Sequence, residues 1–210
     1  MLAWHSLSGP YGERRSRTPV RWLCLRAFCY LAATTGGRLR PIQLDQMSQL
    51  VDLGIFLNRC FDGKTRFSSG RYRKLRRGLP DGPVRDYLQA LKRAETGRPS
   101  LADWKAVQAY RRSVLDLSLQ ALFSLAELRY HDALSPLVCL IQLVDDILDR
   151  HLDRTLELPT LVTSNGPTAL VQAQRLWEEL KSHRRPEDRP LVALGFPVYL
   201  LARLCAHLCR

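Results

Sequence analysis

Leu137-Val138-Cys139-Leu140-Ile141-Gln142-Leu143-Val144-Asp145-Asp146-Ile147-Leu148-Asp149-Arg150-His151-Leu152-Asp153 runs from apolar to acidic with no glycine or proline, which reads as one helix. Ser135 and Pro136 suit its start, as an N-cap and a first-turn proline. At 3.6 residues per turn Asp145, Asp149 and Asp153 share one face at i, i+4 and i+8, and Asp146 meets Asp149 at i+3. Like charges stacked in this way cost a few tenths of a kcal/mol per pair unless cations neutralise them. A hard, oxygen-preferring ion such as Mg²⁺ is the natural partner, so Asp145, Asp146, Asp149 and Asp153 are candidate metal ligands.

A plainer reading stands beside this one. Asp146, Arg150, Asp153 and Arg154 also make an ordinary solvated lattice of ion pairs at a helix end, each worth little. Against it, the apolar run from Leu137 to Val144, with Gln142 inside it, predicts a buried helix, and buried acids need partners.

The segment Gln142-Leu143-Val144-Asp145-Asp146-Ile147-Leu148-Asp149 resembles the second aspartate-rich motif of trans-polyprenyl diphosphate synthases, QLxDDxxD. It also resembles squalene and phytoene synthases, in which a Gln-Leu is followed by aspartates at the spacing of Asp149 and Asp153 and then by a Leu-Pro like Leu158-Pro159. Both groups belong to the class I isoprenoid synthase superfamily, and the likeness covers about twenty residues. Helical segments parted by short Gly/Pro breaks argue for a single all-α bundle of about eight helices, and the resemblance implies Mg²⁺ as cofactor and a prenyl diphosphate as substrate. It allows a peripheral membrane contact and a homodimer, and no nucleic-acid partner is expected on this reading.

The chain has 210 residues, enough for one domain with a real core, and is 46% hydrophobic. Its net charge of +12, from 32 Lys+Arg against 20 Asp+Glu, implies an anionic partner. Charge alone does not choose among a diphosphate, a nucleic acid and a membrane surface. The six cysteines show no CxxC or Cys/His zinc spacing and read as reduced core residues, hence a cytoplasmic protein. No apolar run approaches the roughly 20 residues needed to span a bilayer. Arg14, Arg15, Arg17 and Arg21 before WLCLRAFCYLAAT imitate a signal peptide, but Arg26 interrupts the apolar part. The reading is therefore a flexible basic tail over residues 1–18, then one all-helical domain over residues 19–210.

Within that domain, helices are predicted at Pro19 to Thr35, Pro41 to Phe61, up to Glu95 after the Pro80-Asp81-Gly82-Pro83 turn, and Ser100 to Leu128. Two more are predicted near Thr168 to His183 and Leu191 to Cys209. The helix from Pro41 ends with Asn58 and Asp62 at i and i+4, a reduced first acidic motif in which an amide replaces one carboxylate; the alternative is a surface Asn58 and a helix-ending Asp62. Between Lys64 and Arg77, basic residues interleave with Phe67 and Tyr72, which suits a nucleic-acid backbone, a diphosphate entrance or a solvated loop. The resemblance gives Arg111 or Arg112 the task of gripping the diphosphate, the alternative being a flanking surface pair, and gives aromatics such as Tyr110, Phe56 and Phe123 that of facing an allylic cation. The competing class is a non-catalytic, basic all-α module for nucleic acid or an acidic membrane surface.

Overall fold

The structure is a computed structural model that describes residues 19–160, 162 and 169–208. It is all-α: nine helices and no strand occur among the described residues. In order they are α1 (Pro19–Thr34), α2 (Pro41–Phe61), α3 (Ser69–Arg76), α4 (Asp81–Thr96), α5 (Trp104–Ala126), α6 (Leu134–Leu148), α7 (Arg150–Thr155), α8 (Ala169–Ser182) and α9 (Arg189–Leu208). A 3₁₀ turn, Pro186–Asp188, precedes α9. The predicted tail at residues 1–18 lies outside the described residues. The described residues form two compact units, 19–89 with 118–130, and 90–117 with 131–208, and α4 and α5 each contribute to both.

In the first unit α2 is the central element. Pro41 opens it with a φ already suited to a helix, and the Arg40 backbone N–H donates to Gln43 Oε1 at 2.8 Å. Leu44, Met47, Leu50, Leu53, Phe56 and Leu57 recur at helical spacing and are buried. The buried Arg21 of α1 grips Asp52 of α2 with Nη1 at 2.6 and 2.7 Å from the two carboxylate oxygens. Gly63, at φ 69°, closes α2 in the left-handed region that favours glycine. The basic stretch after it contains a helix, α3, which the reading as a loop did not include. Ser68 Oγ accepts from the Arg71 backbone N–H at 3.3 Å and so starts it, and Leu75 anchors it in the interior.

The second unit is built on α6, which packs against both α8 and α9. Eleven of its residues are buried, from Leu134 to Ile147. Helix α9 approaches closely where Gly195 leaves room for Leu180 of α8 and Leu137 of α6. Two expectations need correction here. First, α6 starts at Leu134 after an Ala133 cap, and the Ser135 hydroxyl donates to Asp116 Oδ1 at 2.8 Å instead of capping. Second, Pro186–His207 is long and apolar enough to cross a membrane by length and composition, with a mean hydropathy of 1.4. Gly195, Pro197 and Arg203 interrupt that run, yet from Pro190 to His207 Arg203 is the single charged residue and scarcely lowers the mean. In this structure 39% of the segment is buried within the protein.

Candidate functional site

The acidic cluster sits at the C-terminal end of α6 and in α7. The single predicted helix divides at Asp149, whose φ and ψ of −87° and 1° leave the helical region. Hydrogen bonds from Asp149 N–H to Asp145 O at 2.9 Å and from Asp153 N–H to Asp149 O at 3.0 Å keep the chain turning through the break. The four carboxylates differ in surroundings. Asp145 is exposed and Asp149 half-buried, whereas Asp146 and Asp153 are 2% and 1% exposed.

Asp146 is held from two elements. Arg111 of α5, itself buried, donates from Nη2 to Asp146 Oδ1 at 2.8 Å, and Gln142 Nε2 donates to the same oxygen at 2.8 Å. Gln142 also lies 3.3 Å from Asp145 Oδ2. The Gln-Leu of the motif therefore orients two successive aspartates, and the guanidinium opposite meets the buried charge. Leu148 and Leu152, one turn apart beside these acids, are exposed.

The other candidates each have a carboxylate close by. Arg112 pairs with Glu179 of α8, a hydrogen bond that raises its pKa before any other influence. Tyr110 Oη donates to Glu95 Oε2 at 2.9 Å, and Arg98 Nε reaches the same oxygen at 2.6 Å. Burial first, and then the Glu95 charge, hold the Tyr110 phenol well above its usual range. This buried Glu95 cluster was absent from the sequence reading; the only hint was the polar Glu95 on an otherwise amphipathic helix.

Asn58 and Asp62 belong to the first unit. Asn58 Nδ2 donates to Asp62 Oδ2 at 3.1 Å, so the amide's donor end turns toward the carboxylate, and Asp62 is the C-cap of α2. Nearby, Phe67 lies 6.0 Å from the Phe56 ring and 5.8 Å from Tyr72, while the Arg71 guanidinium stands 4.9 Å over Phe56. The aromatics of the basic stretch thus pack among themselves and hold an arginine by its face.

Cys24, Cys29, Cys60, Cys139 and Cys205 are free thiols, and burial pushes Cys139 up to about 12, so it stays un-ionised at neutral pH. Among the described residues, no three His, Cys, Asp or Glu side chains converge as a ready ligand set for a metal ion. Comparison with family models, with curated proteins and with solved structures finds no match to this chain.

Proposed function

We propose that this chain is a Mg²⁺-dependent protein of the class I isoprenoid synthase kind, which holds the diphosphate of an allylic prenyl diphosphate at Asp145 and Asp149 and promotes its departure. The supporting observation is electrostatic. A helix C-terminus carries the negative end of the macrodipole, and acids there are disfavoured by about 0.3–1 kcal/mol each. Yet α6 ends in Asp145, Asp146 and Asp149 with no basic residue in its last turn. Arg111 answers the charge of Asp146. Asp145 lies in that last turn and Asp149 at the junction where α7 begins, four residues apart and both more exposed than Asp146, so one divalent cation reaches the pair from solvent.

The donor set fits Mg²⁺ of one particular kind. Mg²⁺ keeps several waters and is commonly held by one or two carboxylates together with substrate phosphates, without a full protein cage. Asp145 and Asp149 supply such a pair, whereas Asp146 and Asp153 are enclosed. When bound, Mg²⁺ would offset the charge that gathers on the departing diphosphate. Gln142 and Arg111 keep the acidic turn oriented, and Arg150 and Arg154, next in the chain, add positive charge for the diphosphate oxygens.

Calorimetric titration of Mg²⁺ in the presence of a non-hydrolysable prenyl diphosphate tests the reading. Binding should require both components and weaken by about tenfold or more in Asp149→Asn, since even indirect supports of a metal ligand are worth that much. Identical titrations for the wild type and Asp149→Asn would remove the proposal.

A further inference from the structure

We propose that the outward face of α9, with the start of α8 beside it, seats the second unit on an anionic membrane surface. The inner face of α9 is buried against its neighbours through Leu191, Val198, Tyr199, Ala202, Cys205 and Ala206. Its opposite face is apolar as well. Phe196, Leu200 and Leu204 follow at i, i+4 and i+8 and are 49%, 46% and 55% exposed, with Leu201 at the edge, Pro197 among them and Ala193 one turn before. A helix that is apolar all round demands an apolar environment on both sides, and here only one side has it from the fold.

The border of this face states what kind of environment covers it. Val171 of α8, 63% exposed, extends the apolar surface. Leu170, Val171, Gln174, Arg175, Arg203 and His207 line an open hollow of about 470 Å³ at that end, with cationic groups and no acid among them. Arg203 is held ready there: its guanidinium lies 5.7 Å from the Tyr199 ring centre, and Nη1 donates to Tyr199 Oη at 3.4 Å. The acids of α8 lie further along the helix and are matched, Glu178 by Lys181 and Glu179 by Arg112. An apolar ridge bordered by arginines suits an interfacial helix, whose leucines enter the acyl boundary while the arginines meet phosphate headgroups.

A second copy of the chain fits this border less well. Two such faces would bring Arg175 and Arg203 of one copy toward those of the other, on molecules that each carry a net charge of +12. A spanning arrangement would strip α9 from α6 and α8 and expose Gly195 and the residues it packs against. The helix therefore lies on the bilayer, not through it. The proposal uses α8 and α9 alone and is independent of the aspartates.

The experiment is vesicle flotation of the full chain without Mg²⁺ or diphosphate, comparing phosphatidylglycerol with phosphatidylcholine vesicles. The wild type should float with the anionic vesicles only. Leu200→Asp with Leu204→Asp, on exposed positions, should lower the partition about tenfold or more at unchanged helical circular dichroism. Arg175→Glu with Arg203→Glu keeps Phe196, Leu200 and Leu204 and should abolish the preference for anionic lipid at unchanged helical circular dichroism, as should high salt. Equal flotation with both lipids, or none with either, overturns the proposal. So does a dimer in sedimentation velocity that depends on Leu200 and Leu204 without vesicle binding.

Discussion

Asp146 is the residue whose environment most constrains the rest. Its carboxylate is 2% exposed and faces Arg111, so the pair must stand or fall together. Arg111→Ala should destabilise the protein by about 3–5 kcal/mol in urea unfolding, because it removes the guanidinium that answers a buried charge. Arg111→Met combined with Asp146→Leu should recover most of that loss, as apolar isosteres of buried pairs do. The partnership joins positions 35 apart in sequence and is invisible to spacing rules. That is why Arg111 reads from the sequence as a diphosphate ligand, while the fold gives it an acid of its own. Tyr110 makes a pH-dependent contribution. Its phenol is raised in the fold above the unfolded value of about 10, so the stabilisation is whole below pH 10 and is lost as pH rises from there through the folded pKa. Tyr110→Phe should accordingly flatten the fall of unfolding free energy between about pH 10 and 12 relative to the wild type; parallel curves would assign the alkaline loss to other groups.

At the scale of elements, the packing of α9 on α8 and α6 depends on Gly195. A Cβ there would lie 2.2 Å from Leu180 Cδ2, and Leu180 has no exposure into which to move. Gly195→Ala should therefore cost about 1–3 kcal/mol by overpacking, more than the roughly 1 kcal/mol that alanine gains in helix propensity. Thermal unfolding of the variant checks the sign. Helices with proline starts and periodic apolar faces were legible from the sequence, α2 to the residue at both ends and α1, α8 and α9 within two. The break at Asp149 was not, because nothing in Leu148-Asp149-Arg150 is a helix breaker and only tertiary context turns the backbone there. Helix α3 escaped notice since one buried leucine among many basic residues leaves almost no periodic signal. In α5, Asp103 caps the helix by accepting from the Ala106 N–H at 3.0 Å, three residues beyond the cap expected at Ser100. Both residues are good caps, and the sequence alone gives no preference between them.

For the molecule as a whole, a net charge of +12 sets the long-range field, and every anionic ligand should bind more weakly as salt rises. That field draws a diphosphate, a headgroup or a nucleic acid alike; discrimination must come from local chemistry. Nucleic-acid binding would show a log-affinity falling linearly with log salt, with a slope set by the phosphates neutralised. Metal-bridged diphosphate binding would instead vanish on chelation at any salt concentration. The central claim is that the acidic end of α6 holds Mg²⁺ together with a prenyl diphosphate, and calorimetry with and without a chelator, on the wild type and on Asp145→Asn with Asp149→Asn, tests it most directly. The account predicts diphosphate binding by the wild type that disappears on chelation and is absent from the double variant, whose unfolding midpoint is unchanged. Binding that survives both chelation and the loss of the two carboxylates would contradict it.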